Sequence, residues 1–143
     1  MRRSEAQLQL PRALVGAFFD PHSPTGRAAR EMMARLLVDE TSKEETREAL
    51  FAGLSDRVPY IRGTCALLLL QSGESPQPQL LRALVGTFAH PDSETGRAAK
   101  ALMARLVAGE TSREGAREAL VAGLSDDVPS IRRVCDQLLQ ILR

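Results

Sequence analysis

At 143 residues, with 43% apolar but only 3% aromatic residues and no Trp, the chain has the length of one domain, and its core must be built from Leu, Ala, Val and Met, residues suited to close helix-on-helix contact. Nineteen basic against 18 acidic residues leave a formal charge of +1, which supplies no field to gather nucleic acid or an anionic membrane. No apolar stretch reaches the roughly 18 residues of a membrane span, and Met1-Arg2-Arg3 leads into Ser4, Glu5, Ala6 and Gln7 rather than a hydrophobic signal region, so a soluble, unexported, cytoplasmic protein is expected.

The elements follow from an internal repeat. Sliding the sequence by 70 places Leu10–Leu70 on Leu80–Gln140 with about 38 of 61 positions identical, the signature of a repeat architecture. A weaker echo at half that period shows in the evenly spaced Arg27, Arg62, Arg97 and Arg132. The first helix is predicted over 10–19, followed by a turn at Asp20-Pro21 and a second helix over 24–38, with Ser23 as cap and Pro24 as first helical residue. Thr41-Ser42-Lys43-Glu44 reads as a capping box, a hydroxyl with a glutamate three residues on, opening a helix near 42 with Thr41 as its cap. Apolar positions at helical spacing carry that helix through Ala49, Leu50 and Leu54 to a break at Ser55-Asp56. Pro59 suits the first turn of the next, expected over 59–71.

Gln71 to Pro78 is rich in breakers and predicts a loop, short enough to lie inside one domain spanning 1–143. The second half repeats the scheme: helices over 79–89 and 94–108 around the turn His90-Pro91-Asp92, then a helix opened near 112 by Thr111 and Glu114, then one over 129–142 starting at Pro129. The hairpins thus cover about 10–38, 42–71, 79–108 and 112–142. Cys65 and Cys135 fall at equivalent places. With helix axes roughly 10 Å apart, two repeats separate their sulfurs by about 20 Å, which excludes a disulfide. Small buried hydrophobes in a reducing compartment are the expected role.

The strings Ala49-Leu50-x-x-Gly53-Leu54-Ser55-Asp56-x-Val58-Pro59-x-Ile61-Arg62 and Ala119-Leu120-x-x-Gly123-Leu124-Ser125-Asp126-x-Val128-Pro129-x-Ile131-Arg132 resemble HEAT-like repeats of the short variety. The resemblance covers roughly residues 10 to 142. In the first and third repeats Gly26 and Gly96 stand where the family has an aliphatic residue before the arginine, and the turn is one residue longer. The resemblance implies an all-α, right-handed α-solenoid of four HEAT-like hairpins, first helices convex and second helices concave. It also implies that the repeated arginine bonds the turn aspartate and carbonyls of its own or the neighbouring repeat.

Beside that structural role stands a functional one. On a helical wheel Arg27 and Arg97 lie opposite the stripe Ala29, Met32, Met33 and Leu36 and its counterpart Ala99, Leu102, Met103 and Leu106, which turns them toward the concave side. A line of guanidinium groups from Arg27, Arg62, Arg97 and Arg132, with Arg30 and Lys100 on the same helices, suits carboxylates or phosphates of a partner. His22 and His90 sit in equivalent turns about two repeats apart, too few and too distant to assemble a metal site. No phosphate loop, His-Glu-x-x-His string or nucleophile elbow occurs, so no catalytic residue, metal or cofactor is expected.

Related helical repeats serve two enzyme classes. A DNA glycosylase of the alkylpurine type implies aromatic residues and a basic groove that this chain lacks. A bilin lyase-like activity is the alternative reading, without a motif to carry it. A non-catalytic module binding a protein or peptide, monomeric or weakly self-associating, is the primary expectation. Phe19 against Ala89, Phe51 against Val121 and Tyr60 against Ser130 mark where partner specificity would enter. Finally, Gly63, Ala66, Leu67 and Leu70 become Arg133, Asp136, Gln137 and Gln140 in the last helix while Val134, Leu138 and Ile141 stay apolar, predicting a polar terminal cap and a whole small protein.

Overall fold

The computed structural model describes residues 5–141, with side chains from Leu10 onward. Among them are eight α-helices, two short 3-10 segments and no strand. Helix α1 runs Glu5–Gly16 and tightens into a 3-10 turn at Ala17–Phe19; α2 is Pro24–Val38, α3 Lys43–Gly53 and α4 Pro59–Gln71. The second half repeats this with α5 Pro78–Leu84, a 3-10 segment Val85–Ala89, α6 Glu94–Ala108, α7 Arg113–Gly123 and α8 Pro129–Ile141. The predicted spans 24–38, 59–71 and 94–108 coincide with α2, α4 and α6. The helix expected at 10–19 starts earlier, because Glu5 to Gln9 are adequate helix formers, and both first helices of the halves end in 3-10 geometry rather than α.

Caps and turns show which local signals act. Ser23 and Ser93 accept from the backbone N–H of Gly26 and Gly96 at 2.8 and 3.0 Å, as N-caps do. The two glycines that precede Arg27 and Arg97 have a spatial cause: a Cβ would lie 2.7 Å from the Asp20 carbonyl oxygen at Gly26 and 2.3 Å from that of His90 at Gly96. The capping box at Thr41 does not form. Ser42 is the N-cap in helical geometry (φ −119°, ψ −7°) without a side-chain cap bond, since a capping oxygen reaches the N2 and N3 donors only from extended backbone. Its hydroxyl instead lies between the Asp39 carboxylate at 2.8 Å and the Leu36 carbonyl at 3.2 Å, and that of Ser112 donates to the Leu106 carbonyl at 2.5 Å, tying each first helix to the end of the helix before it. Thr41 bonds only to Asp39, at 2.6 Å, and together with Ser42 holds that carboxyl below its usual range. Ser42→Ala is therefore expected to cost about 1 kcal/mol in chemical denaturation and exposed Thr41→Ala clearly less; equal losses would return the capping role to Thr41.

Packing runs through one contiguous apolar cluster from Val15 to Leu138. α1 lies on α3, α3 on α4, α5 on α7 and α7 on α8, while α4 joins the halves by packing on α5 and on Val85–Ala89. α4 is buried on all sides from Gly63 to Leu69, whereas α8 buries Ile131, Val134, Cys135 and Leu138 and leaves Arg133, Asp136, Gln137 and Gln140 exposed. Ile141, expected on the inner face, is 71% exposed, almost a full turn past Leu138. Met32, expected in the apolar stripe of α2, is also exposed; Ala29 and Met33 carry that face.

The close contacts are made by glycine. A Cβ on Gly53 would sit 2.4 Å from Cys65 Sγ, and one on Gly123 2.3 Å from Cys135 Sγ, so each buried, free thiol fills a notch in the preceding helix. Burial, with a smaller contribution from the turn aspartates, pushes both thiols up to about 12, consistent with a packing role. The loop after α4 turns at Gly73 (φ +108°), and Arg47 of α3 pairs with Glu74 there while its guanidinium covers Phe51 at 4.9 Å.

Candidate functional site: a cleft between α2 and α6

Helical spacing places Arg27, Arg30, Glu31 and Ala34 on one face of α2, and Glu94, Arg97 and Ala98 on one face of α6. The two faces oppose each other as walls, with Thr64, Leu67, Leu68 and Gln71 of α4 as the floor. The space between them divides into a deeper part of about 180 Å³ over α4 and an outer part of about 480 Å³. The outer part is lined by the turn Pro21–Pro24, by Arg27, Arg30 and Glu31, and by Asp92, Glu94 and Arg97.

The three lining arginines are not equivalent. Arg27 reaches across the mouth to Glu94 at 3.1 Å, with both side chains 65% exposed, a pairing worth at most about 1 kcal/mol and readily exchanged for another carboxylate. Arg97 donates to its own turn at the Asp92 carbonyl, 2.7 Å away. Half-buried Arg30 lines both parts, and its Nη1 is shielded from solvent with no hydrogen-bond acceptor among the described residues. A charged donor left in that state is costly, and a turn of the guanidinium that brings it to an acceptor in the cleft recovers the loss.

The other predicted residues lie elsewhere. Arg62 donates to the carbonyls of Asp56 and Arg57 at 2.9 and 3.3 Å, and Arg132 to that of Asp126 at 2.7 Å. The turn carboxylates themselves accept from backbone, Asp56 from Val58 N–H and Asp126 from Val128 N–H, each at 2.9 Å. These two arginines therefore hold their turns through main-chain oxygens and not through the aspartate side chains. Lys100, one turn past Arg97, is half-buried and outside the cleft lining. Glu31, Glu94, Thr64 and Gln71 were not marked by any motif; the signal for Glu94 was its place in the first turn of α6, where the first half has Pro24.

The turns expected two repeats apart approach each other instead. His90 is held below its ordinary range by burial first and then by the charge of His22, with Asp20 opposing. The Tyr60 ring meets His90 edge-on at 5.2 Å. Tyr60, expected at a partner surface, is 1% exposed, and its hydroxyl has no hydrogen-bond partner among the described residues. Phe51 is half-buried, and Phe19 alone of these three aromatics is open, at 65%. Among the described residues no three His, Cys, Asp or Glu side chains are grouped to hold a metal ion, and no helix is long and apolar enough to cross a membrane. Comparison of the chain with protein-family models, with curated proteins and with solved structures finds no match.

Proposed function

We propose that the chain is a right-handed α-solenoid of four HEAT-like hairpins that binds a protein or peptide partner, without catalysis, in the concave cleft between α2 and α6. The observation that carries this reading is Arg30: a cationic side chain on the wall of an open cleft, with one donor unmet. Arg27 and Arg97 flank it, and Arg27 gives up only a weak surface pair to engage a ligand. A carboxylate of the partner, from an acidic side chain or a chain terminus, accepts from Arg30, and Glu94, once Arg27 turns from it to the ligand, takes main-chain N–H groups beside Glu31. The solenoid reading is supported by the 70-residue duplication and by the placement of α4 beneath the two neighbouring second helices. The partner is cytoplasmic in this reading, and the protein works as a monomer or weak homo-oligomer.

Selection of displayed random peptides on the immobilised protein tests it. Peptides enriched on the parent should carry Asp, Glu or a free C-terminal carboxylate, and Arg30→Gln should weaken their binding about tenfold, roughly the loss of one charge-assisted bond. Arg12→Gln, on the exposed face of α1, should leave it unchanged. Peptides that bind parent and Arg30→Gln equally would remove the cleft as the site.

A further inference from the structure

The duplication provides an internal control that separates the two ends of the molecule. Where the second half is covered by α4, no helix among the described residues covers the first half in the same way, and the same residues stand open. Leu80 is 0% exposed and its counterpart Leu10 54%. Ala83 and Gly86 are buried, and their counterparts Ala13 and Gly16 are exposed. Leu84 is fully buried, and Leu14 is partly open. Leu10, Ala13 and Gly16 follow each other at three-residue steps, so one arc of α1 is bared.

The covering helix is specified by what covers the second half. α4 presents Pro59, Gly63, Ala66, Leu67 and Leu70, spaced as i, i+4, i+7, i+8 and i+11, the arc whose α8 counterparts are exposed. Two glycines set the distance of approach. A Cβ on Gly86 would lie 2.0 Å from the Pro59 carbonyl oxygen, and one on Gly63 2.4 Å from the Thr87 backbone nitrogen. Gly16 retains the first requirement in the open copy, with nothing within 4 Å of a Cβ placed there.

We propose that the α1 face formed by Leu10, Ala13, Leu14 and Gly16 is a docking surface for a helix of a partner protein with the pattern Pro-x-x-x-Gly-x-x-Ala-Leu-x-x-Leu, seated as α4 is seated on α5 and Val85–Ala89. A second copy of this chain does not fit. Its α8 offers Pro129 in register but puts Arg133 where Gly63 touches backbone, and Asp136, Gln137 and Gln140 where apolar side chains are needed. The α8 face is thus closed to its own kind and the α1 face is open to a helix of the α4 type, an asymmetry that permits a defined partner and disfavours head-to-tail stacking of copies. This surface lies on α1, outside the α2–α6 cleft.

The test converts α8 into that helix. A donor variant carries Arg133→Gly, Asp136→Ala, Gln137→Leu and Gln140→Leu, together with Gly16→Ala to block its own α1 face; the parent is the acceptor. Mixing donor and parent should give a complex of twice the parent mass by light scattering. An acceptor bearing Gly16→Ala should bind at least about tenfold more weakly, because the added Cβ meets the carbonyl of the docked proline. Circular dichroism of the donor alone establishes that it is folded. A folded donor that stays apart from the parent, or that binds parent and Gly16→Ala acceptor alike, overturns the proposal. Arg30→Gln in the acceptor should not change this complex, which separates it from binding in the cleft.

Discussion

Gly86→Ala is expected to be the most damaging single methyl group that can be added to this protein, with a loss of about 3 kcal/mol in chemical denaturation, the upper part of the range for overpacking. The new Cβ would stand 2.0 Å from the Pro59 carbonyl oxygen and 2.8 Å from its carbon. Both are backbone atoms at the start of α4, so no rotamer change relieves the contact and the two halves must separate locally. Gly63→Ala should behave alike, since its Cβ would fall 2.4 Å from Thr87 nitrogen and 2.6 Å from Thr87 Cγ2, offset in part by the roughly 0.5–1 kcal/mol that Ala gains over Gly in a helix. The internal controls are Gly16→Ala, at the counterpart of Gly86 with open space around it, which should be neutral or slightly stabilising, and Arg133, already a large residue at the counterpart of Gly63 and exposed. Equal losses for Gly86→Ala and Gly16→Ala would mean that the α4 seam between the halves is not closed as described.

The second large effect is at the thiol notches, and it differs in being repairable. Gly53→Ala brings a Cβ to 2.4 Å from Cys65 Sγ, with Val15 Cγ1 at 3.2 Å behind it, at the place where α1, α3 and α4 meet. A loss of about 2 kcal/mol is expected. Because the obstructing atom belongs to a side chain, Cys65→Ala removes it. Cys65→Ala alone should cost on the order of 1 kcal/mol for the lost sulfur and the small void, yet the double variant should be more stable than Gly53→Ala alone. Simple addition of the two single losses would show that glycine and thiol do not touch. Gly123 and Cys135 form the same pair at 2.3 Å and should give the same sign of coupling, with the effect confined to the second half.

Much of the helical plan was legible because it is local. Pro24 and Pro59 at first helical positions, Ser23 as a cap and the apolar periodicity of α2 and α6 act within a turn or two of chain, and α2, α4 and α6 lie where the sequence places them. The burial of α4 on every side and the polar arc of α8 were equally readable, since the contrast between Gly63-Ala66-Leu67-Leu70 and Arg133-Asp136-Gln137-Gln140 is a contrast of composition at matched positions. The site was legible only in part. Arg27, Arg30 and Arg97 do line one cleft, while Arg62, Arg132 and Lys100 do not, although Arg62 and Arg132 share the even spacing of Arg27 and Arg97 and Lys100 lies on the same helix as Arg97.

The sequence by itself determined the spans of α2, α4 and α6, the duplication and the polar character of the last helix, because each depends on neighbours along the chain or on comparison of one copy with the other. Only the tertiary structure decided that Thr41 leaves the cap to Ser42, whose hydroxyl finds a carbonyl six residues back; that Tyr60 is enclosed; that His22 acts on His90; and that Glu94 meets Arg27 across 67 residues. The last three depend on groups that only the packing of distant segments brings together. That packing is set by glycine notches such as Gly63 and Gly86 and by ridges of side chains on several elements at once, which no local pattern records.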